Sequence, residues 1–135
     1  MRPNWISGFL ILCAVFFAFT GGSSLGAPAR FAGRLGYGLV ARDGFNEIRA
    51  QYGGFFLALC AANLLAIFRI VPLNAALLVN ATVFGGLLAG RLMSLGLDRG
   101  FGAYGPVIRA LYCIDGLGFI LSLAGLCSER PIVHP

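Results

Sequence analysis

The chain has no lysine, one histidine and only five acidic residues among its 135. Charged residues make up 11% of it, against about 25% in a typical soluble domain. So little charge cannot cover a water-facing surface, which excludes an ordinary soluble domain and leaves lipid as the solvent for most of the chain. There is no Cys-x-x-Cys pair, and no histidine stands near Cys13, Cys60, Cys113 or Cys127. A disulfide framework and a cysteine–histidine metal site are therefore excluded. A Walker glycine loop, a haem-attachment motif and a Ser-His-Asp ordering are also missing, and His134 is the penultimate residue. No cofactor or metal is expected. The ten arginines fall singly between apolar runs instead of forming one basic stripe, so nucleic acid is not an expected partner.

What the chain does have is hydrophobic length. It is 59% hydrophobic with a mean hydropathy of +0.86. A helix needs about 20 apolar residues to cross the hydrocarbon core, and four windows qualify: residues 5–25, 46–68, 72–97 and 104–127. The runs are long and continuous, whereas transmembrane strands would alternate over roughly ten residues. The expectation is an all-α, four-transmembrane-helix bundle forming a single integral membrane domain, with residues 26–45 as a polar, interfacial loop. Pro72 and Pro106 suit the first turns of the third and fourth spans. A competing reading treats Arg2, the first apolar run and "GGSSLGAPA" as a cleaved secretory signal. That run is long for such a signal and its basic end is thin. Asn80-Ala81-Thr82 matches a glycosylation acceptor but lies inside the third span, where no transferase reaches it.

Small residues recur at helix-packing spacing in Gly22 and Gly26, Gly86 and Gly90, and Gly118 and Ser122. Such pairs let helices approach closely in lipid. In the first loop, Arg30 and Arg34 are four apart and Phe31 and Leu35 form a parallel apolar pair. That pattern fits a segment lying in the interface. Gly33, Gly36 and Gly38 argue against a stable helix there, so a loose cap is expected.

Four crossings place most of the charge on one side: Arg30, Arg34, Arg42, Asp43, Glu47, Arg49, Arg91, Asp98, Arg99, Arg109 and Asp115. The other side receives Arg2, Arg69, Glu129 and Arg130. The positive-inside bias would make the Arg-rich side cytoplasmic and put both termini outside, while Arg2 before the first span argues the reverse. Arg91 lies roughly 10 Å inside the end of the third span and Asp115 roughly 14 Å inside the fourth. A centred charge costs about 2.5–3.5 kcal/mol on insertion scales, so the two are expected to pair. Helical spacing aligns Asn80, Arg91, Ser94 and Asp98 on one face of the third span, and Tyr112, Asp115 and Ser122 on the fourth. On the second, Glu47 and Gln51 share a side while Arg49 and Tyr52 point away, and Arg49 is expected to snorkel toward headgroups. The candidate intramembrane polar cluster, functional or structural, is Glu47, Arg49, Tyr52, Arg91, Ser94, Asp98 and Asp115.

"NEIRAQYGG" and "GLLAGRLMSLGLD" resemble the pattern of the DUF4345 family of small bacterial membrane proteins. The matching positions are Asn46, Arg49, Ala50, Tyr52, Gly53 and Gly54, then Gly90, Arg91, Ser94 and Asp98, within about residues 46–100. Elsewhere the agreement is in hydropathy alone. The resemblance implies four helices and a bacterial inner (plasma) membrane location, draws attention to Arg49, Arg91 and Asp98, and carries no activity.

Three functions compete on these residues. The first is a non-enzymatic membrane protein that binds the bilayer's lipids, a membrane-protein partner or a second copy of itself, with its charges holding the bundle. The second is a small transporter or proton relay through Arg91 and Asp115. The third is an enzyme acting on a lipid or quinone, with Asp115 and Tyr112 as an acid–base pair. Small multidrug transporters share the length but use a lone Glu in the first span, which here contains no acid.

Overall fold

The computed structural model describes residues 4–98 and 100–128. Six α-helices follow in order: α1 Asn4–Gly26, α2 Pro28–Arg34, α3 Arg42–Ile48, α4 Phe55–Ile67, α5 Leu73–Asp98 and α6 Pro106–Ser128. A π-helical turn, Arg49–Gly54, joins α3 to α4 without a break, and a 3₁₀ turn, Phe101–Ala103, precedes α6. Among the described residues there is no strand. Four helices are long and apolar enough to cross a membrane: Asn4–Gly26, Arg42–Ile67, Leu73–Leu97 and Pro106–Ser128. The architecture is all-α.

Polar groups are buried beside an apolar core that includes Ile6, Leu10, Phe17, Leu77 and Phe84, and many large apolar side chains face outward. Ser24, Asn63, Asn80, Asp115 and Ser122 are buried, while Leu12, Val15, Phe19, Met93, Leu97, Leu117 and Ile120 are exposed. Large apolar side chains facing out and polar ones facing in suit a hydrocarbon surround. Several of the buried polar groups satisfy themselves within their own helix. Ser24 Oγ donates to the Gly21 carbonyl, Asn63 Nδ2 to that of Leu59 and Ser122 Oγ to that of Gly118.

Backbone contacts divide the chain into two compact units, Ser7–Ile70 and Val71 onward together with the start of α1. In the second unit α5 and α6 form an antiparallel hairpin. A Cβ placed on Gly125 would meet the Leu77 side chain, and one on Gly118 would meet the ring of Phe84. Farther along, Arg91 reaches Asp115 and Ser94 reaches Tyr104. Leu77, Phe84 and Arg91 stand seven residues apart, the repeat that keeps one helix seam against its neighbour. Gly85 packs on Phe119 in the same way.

In the first unit α1 runs against the rod of α3, the π turn and α4. Phe17 meets Phe56 edge-on at 5.7 Å, Gly21 lies under Leu57, and Gly53 lies under Leu25 and Ser24. The close approaches therefore differ from those expected of the glycine pairs. A Cβ added to Gly22, Gly26, Gly86 or Gly90 would meet nothing within 4 Å, whereas one on the neighbouring Gly21 or Gly85 would. Spacing of four marks a helix stripe, but only the seam facing the neighbour decides which stripe is used. Gly118 and Ser122 are both buried on the seam side of α6.

The first loop also differs from expectation. A true helix, α2, forms with Pro28 at its start, and the glycines that argue against it include its stop signal. Gly36 has φ +85, its N–H bonds to the Gly33 carbonyl, and that of Tyr37 bonds to Ala32. This is a Schellman close, which needs a left-handed residue after the helix. α4 ends in the same way, with Arg69 at φ 61 and the N–H groups of Arg69 and Ile70 bonded to Ala66 and Leu65. Arg69 occupies a position that favours glycine.

Candidate functional site

The polar centre of the α5–α6 hairpin is built around Arg91. Its Nε–H donates to Asp115 Oδ2 at 2.6 Å, with the Asp115 side chain 3% exposed and that of Arg91 21%. Asp115 stands nine residues into α6 and Arg91 seven from the end of α5, so each comes to the same level from opposite ends of its helix. Tyr112, one turn before Asp115, donates its hydroxyl to the backbone carbonyl of Arg91 at 2.6 Å. The helix that supplies the carboxylate thus also clasps the backbone of the residue that supplies the guanidinium. The Tyr112 ring centroid lies 6.0 Å from Arg91 Cζ, near the outer limit of a cation–π contact.

Two aromatic residues from the connection close the arrangement. Phe101 meets Tyr112 edge-on at 5.3 Å, Tyr104 lies 6.0 Å from Tyr112, and the hydroxyls of Tyr104 and Ser94 are 3.1 Å apart. Phe101 and Tyr104 are parts of the centre that sequence reasoning left out. Their only signal was two aromatic rings in a glycine-rich turn, where rings are not otherwise needed.

Of the residues expected in a polar cluster, Arg91, Ser94 and Asp115 are brought together here. The side chain of Asp98 lies outside the described residues. Glu47, Arg49 and Tyr52 belong to the Ser7–Ile70 unit. There Glu47 Oε2 accepts from Gln51 Nε2 at 2.8 Å, and Arg49 is exposed. Tyr52 is half-buried between two rings, 5.2 Å from Phe31 of α2 and stacked 6.0 Å from Phe56.

The π turn sets the register of this stretch. The buried positions are Ile48, Gly53, Phe56, Leu59, Asn63 and Ala66. Beyond Gly53 their spacing is three or four, as in any α-helix, but from Ile48 to Gly53 it is five. The i→i+5 bonding of a π turn absorbs one extra residue and keeps both flanking faces on one side. The turn Arg49–Gly54 coincides with the heart of the "NEIRAQYGG" motif.

A family model described as a domain of unknown function (DUF4345) matches residues 6–112. The chain belongs to this family. The match reaches well beyond residues 46–100, taking in α1, α2 and the first turns of α6. No curated protein matches the chain, and no solved structure does. As the DUF4345 description assigns no activity, any function has to be argued from the residues themselves.

Proposed function

We propose that this DUF4345 protein is a multi-pass protein of the bacterial inner membrane that works by binding, not catalysis, and that Arg91 and Asp115 lock its third and fourth spans. The observation that carries this reading is the direct Arg91–Asp115 contact combined with the Tyr112 clasp on the Arg91 backbone. A relay group has to exchange its proton with water or substrate, whereas this carboxylate is buried and held by a guanidinium. Tyr112 directs its hydroxyl to a backbone carbonyl, which argues against its pairing with Asp115 as an acid–base couple for a lipid or quinone enzyme.

The lock is tested by exchanging its charges. Arg91→Asp or Asp115→Arg alone should lower the melting temperature in micelles and the amount of protein in the membrane. Each single exchange sets two like charges face to face, so the loss should be at least about 2.5–3.5 kcal/mol, the insertion cost of one unpaired central charge. The double exchange should recover most of it. The alternative, a proton relay through the same pair, is favoured by the depth of Asp115 in its span. It predicts that Asp115→Asn stays folded and loses proton flux in proteoliposomes. Unchanged melting temperature and abundance in both single variants would refute the lock.

A further inference from the structure

A second feature lies at the corner between α1 and α2, in the Ser7–Ile70 unit. A cleft of about 190 Å³ is lined by Phe19 and Ser23 of α1, Ala27 at the corner, and Arg30, Phe31 and Arg34 of α2. Both arginines are exposed, they stand one turn apart on the same side of α2, and no acidic residue lines the cleft. From this arrangement we propose that the cleft holds the phosphate headgroup of an anionic phospholipid. The proposal rests on the membrane placement above and adds the ligand class and its site.

The cleft is amphiphilic in the sense that a lipid requires. Phe19 lies one helical turn below Ser23, roughly 6 Å deeper along α1, and is exposed. The charged part of the cleft is on α2, which follows the end of the first span after a single residue. Guanidinium groups bind phosphate through paired N–H donors, and Ser23 contributes a hydroxyl. The volume falls short of the roughly 300–1,000 Å³ of a pocket that encloses a whole small ligand. It suits a headgroup whose chains remain in the bilayer beside Phe19.

The cleft wall is braced. Phe31 packs on Tyr52, Tyr52 stacks on Phe56, and Phe56 packs on the buried Phe17. The Schellman close at Gly36 fixes the end of α2, so both arginines are carried by a helix with a defined end. The motif segment that forms the π turn supplies Tyr52, and through it supports the Phe31 side of the cleft.

The test uses the full-length protein in detergent micelles, titrated with phosphatidylglycerol or with phosphatidylcholine of the same acyl chains, and read by native mass spectrometry. Phosphatidylglycerol should be retained preferentially. Arg30→Gln and Arg34→Gln should each lower its affinity roughly five-fold, the worth of one arginine at an anionic surface. Arg109→Gln, an exposed change on α6, should leave it as it was. Equal retention of the two lipids by the native protein would overturn the proposal whether or not the variants fold. Displacement of phosphatidylglycerol by inorganic phosphate at equal concentration would also overturn it, since the cleft would then be a general anion site. Carbonate washing of membranes separates the two readings. Release of the protein would defeat the membrane placement itself, whereas a retained protein without lipid preference would defeat the cleft alone.

Discussion

Replacing Gly118 and Gly86 by alanine should shift stability in opposite directions. A Cβ on Gly118 would sit 2.6, 2.7 and 2.8 Å from Cδ2, Cγ and Cε2 of Phe84, where carbon atoms prefer about 3.5–4.0 Å. Because Cγ is among the three, the whole ring has to move. Phe84 is 3% exposed, so it has no open side to move into. Overpacking of this kind costs about 1–3 kcal/mol, and the gain from replacing a mid-helix glycine returns about 0.5–1 kcal/mol. Gly118→Ala should therefore destabilise, by up to about 2.5 kcal/mol. Gly86 is exposed with nothing within 4 Å, so Gly86→Ala should show only the helix gain, about 0.5–1 kcal/mol. Reversible unfolding in mixed dodecylsulfate micelles, followed by helical circular dichroism, measures both. Phe84→Leu in the Gly118→Ala background should recover part of the loss. Shifts of equal sign and size in the two alanine variants would refute the α5–α6 packing described above.

Arg69→Gly should raise stability by about 1 kcal/mol, because a left-handed backbone costs a side-chain-bearing residue roughly 1–2 kcal/mol; the same micelle unfolding curves read it, and a loss would mean that the Arg69 side chain has a partner. Deleting Ala50 should convert the π turn to ordinary α-helix with little change in helical signal or melting temperature, since the buried spacing from Ile48 would shorten from five to four. Loss of the fold on that deletion would show that the turn does more than absorb one residue.

That four long apolar helices form was legible because hydropathy over long windows is nearly independent of detail. The Arg91–Asp115 contact was legible for a related reason: two charges deep in apolar helices, approached from one side, have few other partners. Detail failed where one residue of register mattered. Gly85 and Gly86 are equally small, and only the neighbour's position decides that Phe119 lies over the first. The shared side of Glu47 and Gln51 agrees with their hydrogen bond, but a wheel with one angular step has no place for the extra residue that Arg49–Gly54 takes up. α2 was hidden by composition, since its glycines weaken a helix on average yet one of them, Gly36, is what lets this helix end cleanly.

The two polar features of the chain make different demands on what surrounds them. Arg91 and Asp115 contact each other directly, with Tyr112 on the Arg91 backbone and Phe101 and Tyr104 of the connection beside it. Arg30 and Arg34 stand beside an open cleft lined by no acid, and two like charges four residues apart repel each other unless something negative lies between them. In a bilayer the abundant anion at that level is a lipid phosphate. The six cleft residues and Tyr52 all fall within residues 6–112 of the family match, as does Arg91, while Asp115 stands three residues past its end.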